Sequence, residues 1–433
     1  MKMTADLALR EGLQKSGASL LDKGIPFEFD FKHATDPSRR VNILEQALHF
    51  PLLVLKESAL AYNLAAMAEW CKANGFLIAP HGKTTMTPRI FERQLQAGAW
   101  GITVATASQA VICAEVGIPR IMIANQVVGR ANVRTLAAMV KADHALDLLC
   151  LVDSPEALEA LRSEWQAAGV NRPLGVLVER GHQGWRTGAR SLEDALRLCT
   201  EILKHPQTFH LRGVEGFEGS AHAEDPAEEG RLVREFLSDV LALATAVEGS
   251  RSKASDPLLL SIGGSSFLDA VWELGQLVEG HFQIVIRSGC YVTHDHGYCA
   301  QKLTAARDRS ARANLPQFRP ALELWSLVQS KPEEGLAILN FGKRDCAYDL
   351  GLPIPLFAHK AAEGDPRMDL HHATVTDTND QHAYLRGSGI EQLRVGDMVC
   401  CGISHPCTAL DKWRTVPVVD DSYNLLDIYR TYF

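Results

Sequence analysis

The sequence predicts an α/β fold: a (β/α)8 barrel of the TIM type followed by a second, β-rich C-terminal domain. A chain of 433 residues is too long for one ordinary domain and suits a barrel of roughly 250 residues with a smaller partner. From Pro51 onward, short runs rich in Val, Ile and Leu alternate with longer amphipathic stretches, the rhythm of parallel strands joined by helices. Past residue 300 that rhythm stops.

The runs are LLVLK (52–56), FLIAP (76–80), GITVAT (101–106), RIMIAN (120–125), LLCLVD (148–153), LGVLVE (174–179), LRGVEGF (211–217), LLLSIGG (258–264) and QIVIRSG (283–289). Eight or nine such units fit a closed barrel better than an open doubly wound sheet. The stretches between them read as helices. In SPEALEALRSEWQAAG, Ser154 can cap the first turn and Pro155 sits at its first position. The later pieces LELWSLVQS, GLAILNFG and GDMVCCG are β-like and lie among Gly and Pro turns. The expected division is an N-terminal extension over 1–45, the barrel over 46–300 and the β-rich domain over 301–433. The extension starts with a charged amphipathic helix, MKMTADLALREGLQKSG, and should pack on the β domain.

Composition narrows the partners. Hydrophobic residues make up 46% and charged residues 22%, the balance of a globular protein with a large core. A formal net charge of −8 offers no basic field for a phosphate backbone, which argues against nucleic acid. No apolar stretch is long enough to span a membrane and the first residues are not a signal sequence, so a cytoplasmic location is expected. Ten cysteines without a CxxC pair suit a reducing compartment.

Chemistry collects at a few motifs. The second run ends in Pro80-His81-Gly82-Lys83-Thr84, which places a lysine at the C-terminal mouth of a strand, where barrel enzymes keep their sites. A partly desolvated lysine there suits Schiff-base formation with an aldehyde cofactor and later proton abstraction. LSIGGSSF (260–267) is a Gly-rich turn between a strand and a helix, with N–H groups suited to a phosphate, and RSGCYV (287–292) sets Gly289 beside Cys290 and Tyr291. GWRTG (184–188) follows the sixth run and offers Arg186. In SHPCTALDKWR, His405 and Cys407 stand at i and i+2, one side of an extended strand.

Together these motifs resemble the D-threonine aldolase and D-serine dehydratase family of alanine-racemase-like, fold-type III pyridoxal-phosphate enzymes. PHGKT resembles the family's cofactor-lysine motif and HPCTALDKW its metal segment, with GVEGFEG (213–219), IGGSS, RSGCYV and LNFGKRDCAYDLGLP (339–353) in the same order between them. The likeness runs from about Pro51 to the C-terminus. It implies that Lys83 carries pyridoxal 5'-phosphate with His81 beside it, and that Arg186 contacts the pyridine ring. Gly263, Gly264, Ser265, Gly289, Cys290 and Tyr291 would surround the phosphate, and His405 and Cys407 would bind Zn2+ or another divalent cation. Phe217 stands where the family suggests tyrosine, and the acidic pair before His382 reads Asp380-Gln381.

The resemblance further implies a homodimer. Because the HPC segment falls in a separate domain, the mouth is expected to be completed by another subunit. The implied reaction is the dehydratase-type deamination of a D-β-hydroxy amino acid such as D-serine, D-threonine or 3-hydroxy-D-aspartate, giving a 2-oxo acid and ammonia. The thiolate of Cys407 resembles the dehydratase side, where aldolases more often present a carboxylate. Retro-aldol cleavage to glycine and an aldehyde is the alternative, and a non-catalytic pyridoxal-phosphate carrier is the alternative of another class.

Overall fold

The computed structural model describes residues 21–29, 41–249, 256–278, 282–360 and 367–433. The amphipathic helix expected at the N-terminus lies outside them. Eight parallel strands form the barrel: β2 (Leu77–Ile78), β3 (Ile102–Val104), β4 (Arg120–Gln126), β5 (Asp147–Val152), β6 (Leu174–Arg180), β7 (Phe209–Gly216), β8 (Leu258–Ile262) and β9 (Phe282–Ile286). Parallel pairing runs from β3 round to β9 and on to β2. The last gap, between β2 and β3, is bridged by Trp100 N–H to the Ile78 carbonyl at 2.7 Å and Thr103 N–H to the Pro80 carbonyl at 2.9 Å. Helices return the chain between strands, and the one at Pro155–Ala167 begins as its sequence requires, with Ser154 accepting from Ala157 N–H at 3.2 Å.

Ala79, Met122, Leu149, Leu151, Leu177, Leu259 and Val285 fill the barrel interior. Side chains two residues further on point to the same face of a strand. There the filling turns polar, with His81, Glu179, Ser261 and Arg287, and with Glu215 paired in register to Ser261. This polar layer forms the floor of the C-terminal mouth.

The first run does not enter the barrel. LLVLK forms β1 (Leu52–Lys56), which pairs antiparallel with Leu322–Glu333 and parallel with Thr415–Val419 in the ten-stranded sheet of the second domain. All five of its residues are buried. A continuous apolar run records burial on both faces but not which sheet supplies it, which is why this strand was expected in the barrel. The remaining eight runs are the eight barrel strands. In the β domain, Ile43 and Leu48 pack with Leu52, Val54, Trp325 and Tyr423. Lys23 pairs with Asp345 at 2.8 Å and lies over the Trp413 ring at 4.2 Å. These contacts set the described residues around Lys23 and Ile43 against the β domain.

Gly213 on β7 marks the tightest strand approach near the mouth. A Cβ there would overlap the carbonyl and Cβ of Leu259 on β8, groups that cannot rotate away. Gly213→Ala is expected to destabilise the protein by about 1–3 kcal/mol, as overpacking does, read as a lower urea midpoint. An unchanged midpoint would show that the two strands can part at no cost.

Candidate active site

Beyond β2 the chain makes one tight turn at Gly82–Thr84. It fits because Gly82 lies against Phe91, where a Cβ would stand 2.8 Å from the ring. The turn presents Lys83 at the mouth, half-buried, with no carboxylate of the described residues paired to it. His81 keeps a buried Nδ1 without a hydrogen-bond partner. Burial holds its pKa well below the usual histidine value, and the charges of Lys83, Arg287 and Arg186 push the same way. The imidazole is therefore neutral, inside a cluster of three cations.

Arg287 is buried and pairs with Glu215 at 2.5 Å, and it also donates to the Gly216 carbonyl at 3.2 Å. Burial pushes the Glu215 carboxyl up to about 8 against the pull of Arg287, and Glu179 and Glu218 add to the rise. Glu179 accepts from Gln126 and, at 2.7 Å, from Thr187. That bond, with Gly188 N–H donating to Asp153 at 3.2 Å, pins the GWRTG loop over the mouth. Arg186 is exposed there, its guanidinium 4.7 Å from the Phe217 ring, and Arg287 lies 5.9 Å from the same ring.

The Gly-rich turn departs from expectation. The N–H groups of Gly263 and Gly264 donate to the fully buried Glu218 carboxylate, at 3.2 and 2.6 Å, rather than standing free for a phosphate. Phosphate oxygens and a carboxylate are alike as acceptors, so the geometry suits an anion that Glu218 already supplies. Tyr291 is buried and accepts from Gln94 at 3.4 Å, which turns its hydroxyl into the core. Cys290 is half-buried, its sulfur 3.3 Å from that of Cys407, and it interacts with Ser265. Gly289 packs on the His81 carbonyl, which ties this loop to the lysine turn.

Cys407 sits at the centre of the remaining contacts. Its sulfur is 3.6 Å from Thr84 Oγ1, next to Lys83, and it interacts with His405. The HPC segment thus reaches the lysine turn within one chain, so its place in a second domain does not by itself require another subunit. The imidazole Nδ1 of His405 lies 2.8 Å from the Asp349 carboxylate, an acceptor to which it donates, so Nε2 is the ring nitrogen left with a lone pair. Among the described residues no three His, Cys, Asp or Glu side chains form a metal group. His405 and Cys407 therefore fit an ion only as two protein ligands, with solvent or substrate supplying the others.

Thr84, Glu215, Glu218, Arg287 and Asp349 were given no role from sequence. For Glu215 and Arg287 a signal existed: each stands two residues past an interior barrel position. Asp349 and Glu218 lie in motifs quoted above, but their partners are remote in sequence.

An alanine racemase N-terminal domain model matches residues 55–269, and a serine dehydratase domain model matches 321–419. The chain belongs to the alanine-racemase-like family of D-threonine aldolases and D-serine dehydratases. It is 26% identical over 351 residues to a D-threonine aldolase of an Arthrobacter species, covering 81% of this chain and 82% of that one. It is 27% identical over 247 residues to the D-threo-3-hydroxyaspartate dehydratase of Delftia sp. (strain HT23), covering 56% and 63%. The structure of the D-threonine aldolase from Filomicrobium marinum superposes with a TM-score of 0.72 at 22% identity, over 89% of this chain and 95% of that one. A cysteine-to-alanine mutant of the dehydratase, in a metal-free form, superposes with a TM-score of 0.70 at 18% identity, over 90% and 99%. The family members share the barrel with its appended β domain.

The raised carboxyl of Glu215 makes a stability prediction. The folded state keeps a proton that the unfolded chain releases near 4.5, so Glu215 costs stability as pH climbs from there towards about 8. Its slope is at most about 1.4 kcal/mol per pH unit. Glu215→Gln should flatten the fall in urea midpoint between pH 5 and 8. Parallel profiles for the two proteins would mean that Glu215 is ionised throughout, paired to Arg287.

Proposed function

We propose that this protein is a pyridoxal-phosphate- and metal-dependent lyase that converts a D-β-hydroxy amino acid into a 2-oxo acid and ammonia, the water lost in β-elimination being taken up again when the released enamine hydrolyses. One observation carries the reading: an unpaired lysine at the barrel mouth and a His-x-Cys pair from the β domain meet through Thr84 and Cys290 in one place. The relatives support the substrate class, since those of known activity act on D-threonine and 3-hydroxy-D-aspartate.

Lys83 would hold the pyridoxal phosphate, which supplies the electron withdrawal that weakens bonds at the substrate's Cα. His81, neutral and with Nδ1 free, offers a polar contact without adding charge. Arg186, which lies over Phe217, would contact the pyridine ring, where a cation would weaken the cofactor's electron withdrawal. The phosphate would fall to Ser265 and to the turn at Gly289, Cys290 and Tyr291. Gly263 and Gly264 contribute by shaping that turn around Glu218. Lys83 Nζ, standing at the mouth, is the base that takes the α-proton.

His405 and Cys407 would hold the divalent ion. Imidazole with a soft thiolate favours Zn2+ over Mg2+ or Ca2+. An ion there supplies Lewis acidity towards the β-hydroxyl, the poor leaving group of the reaction. The aldolase relatives favour a second reading, in which the same pair assists loss of the hydroxyl proton and Cα–Cβ cleavage. A homodimer remains part of the proposal, as does a cytoplasmic location; no helix among the described residues is long and apolar enough to cross a membrane. A carrier without activity has no use for the β-rich domain that the serine dehydratase model matches.

Incubation with D-serine, D-threonine and 3-hydroxy-D-aspartate tests the reading. It predicts 2-oxo acid and ammonia in equal amounts. Glycine with an aldehyde would convert it to the aldolase reading, and no product from any of the three would remove both. Chelation should lower product formation at least about 100-fold, as loss of several kcal/mol of charge stabilisation requires. Deuterium exchange at Cα should persist, because Lys83 is untouched. Full turnover in protein shown by elemental analysis to be metal-free would exclude the ion from the reaction.

A further inference from the structure

We propose that Asp349 is a positioning residue for the metal pair: it fixes His405 through Nδ1, so that Nε2 is the nitrogen that faces Cys407 and an ion. The inference rests on the metal reading above and adds a residue to which neither the motifs nor the family comparison gave a role.

Asp349 uses both carboxylate oxygens on one short segment. Oδ2 accepts from His405 Nδ1 at 2.8 Å and Oδ1 accepts from Thr408 Oγ1 at 2.6 Å. A third bond, Ser404 Oγ to the Gly351 carbonyl at 2.7 Å, joins the same two strips of chain. Residues 349–351 and 404–408 are thereby laced together on either side of the histidine. The ring is held on another side by Tyr298, edge-on with centroids 5.9 Å apart, and Tyr298 N–H is anchored to the Ser404 carbonyl at 2.9 Å.

The arrangement does not serve stability in the first place. The Asp349 side chain is 40% exposed and that of His405 14%, and ion pairs of this kind contribute little to folding. What it fixes is direction. An imidazole has two nitrogens on opposite sides of the ring, and a carboxylate on one settles which presents its lone pair to a metal. With Nδ1 held by Asp349, Nε2 turns towards Cys407, with which the ring interacts. Without Asp349, either nitrogen can face the ion and the ring can turn about Cβ–Cγ. Two protein ligands make a weak site, so the entropy of fixing one of them weighs heavily.

Metal-free protein titrated with Co2+ gives a readout independent of turnover, since the cobalt–thiolate absorption reports the ion on Cys407. Asp349→Ala should bind Co2+ about 10–100-fold more weakly than wild type, the usual effect of removing a histidine's carboxylate partner. Asp349→Asn, which keeps an acceptor oxygen for Nδ1, should recover most of that loss. The absorption of pyridoxal phosphate on Lys83 should be the same in all three. In zinc-loaded wild type, nitrogen NMR of His405 should show Nε2 bound to the ion and Nδ1 protonated. An Asp349→Ala protein that binds Co2+ within twofold of wild type, or a zinc-bound Nδ1, overturns the role of Asp349 and leaves the metal site standing. A wild-type protein that takes up no Co2+ overturns the metal reading, and this inference with it.

Discussion

Strand β1 is buried between two strands of the second domain, Leu322–Glu333 and Thr415–Val419, and the arrangement of the site depends on that burial. The chain enters through the β domain, leaves it to build the barrel, and returns to finish the sheet that β1 began. Both crossings are therefore fixed to one sheet. The return brings Cys407 within 3.3 Å of Cys290 and 3.6 Å of Thr84, beside the lysine turn. A fully buried five-residue strand at this junction is a constraint of position as much as a source of stability. Moving it would move the His-x-Cys pair off the mouth.

The mouth itself is a problem in charge. Lys83, Arg186 and Arg287 gather around a histidine that burial keeps neutral. Glu215 answers Arg287 beneath them, and Glu218 occupies the amides of the Gly-rich turn. Of these cations only Arg287 is paired with a carboxylate of the described residues. The half-buried Lys83 amine, without a carboxylate partner, is open to a carbonyl carbon entering the mouth.

The barrel was legible in the sequence because parallel strands buried on both faces read as continuous apolar runs, and eight of the nine runs are its strands. The ninth, LLVLK, carries the same signal, and periodicity cannot say which sheet buries it. Local motifs were likewise readable: His81-Gly82-Lys83 does turn at a strand mouth, and GWRTG does lie over it. What sequence could not give were pairings across the fold. Glu218 is 45 positions from Gly263, and Asp349 is 56 from His405. Amides expected to be open to a phosphate were closed by a carboxylate that no spacing rule connects to them.

The central claim is that Lys83 is the covalent anchor of the cofactor. Borohydride reduction of protein reconstituted with pyridoxal phosphate, followed by peptide mapping, tests it directly. The account predicts a pyridoxyl group on Lys83, in stoichiometric amount; a label on any other lysine, or none at all, would contradict it.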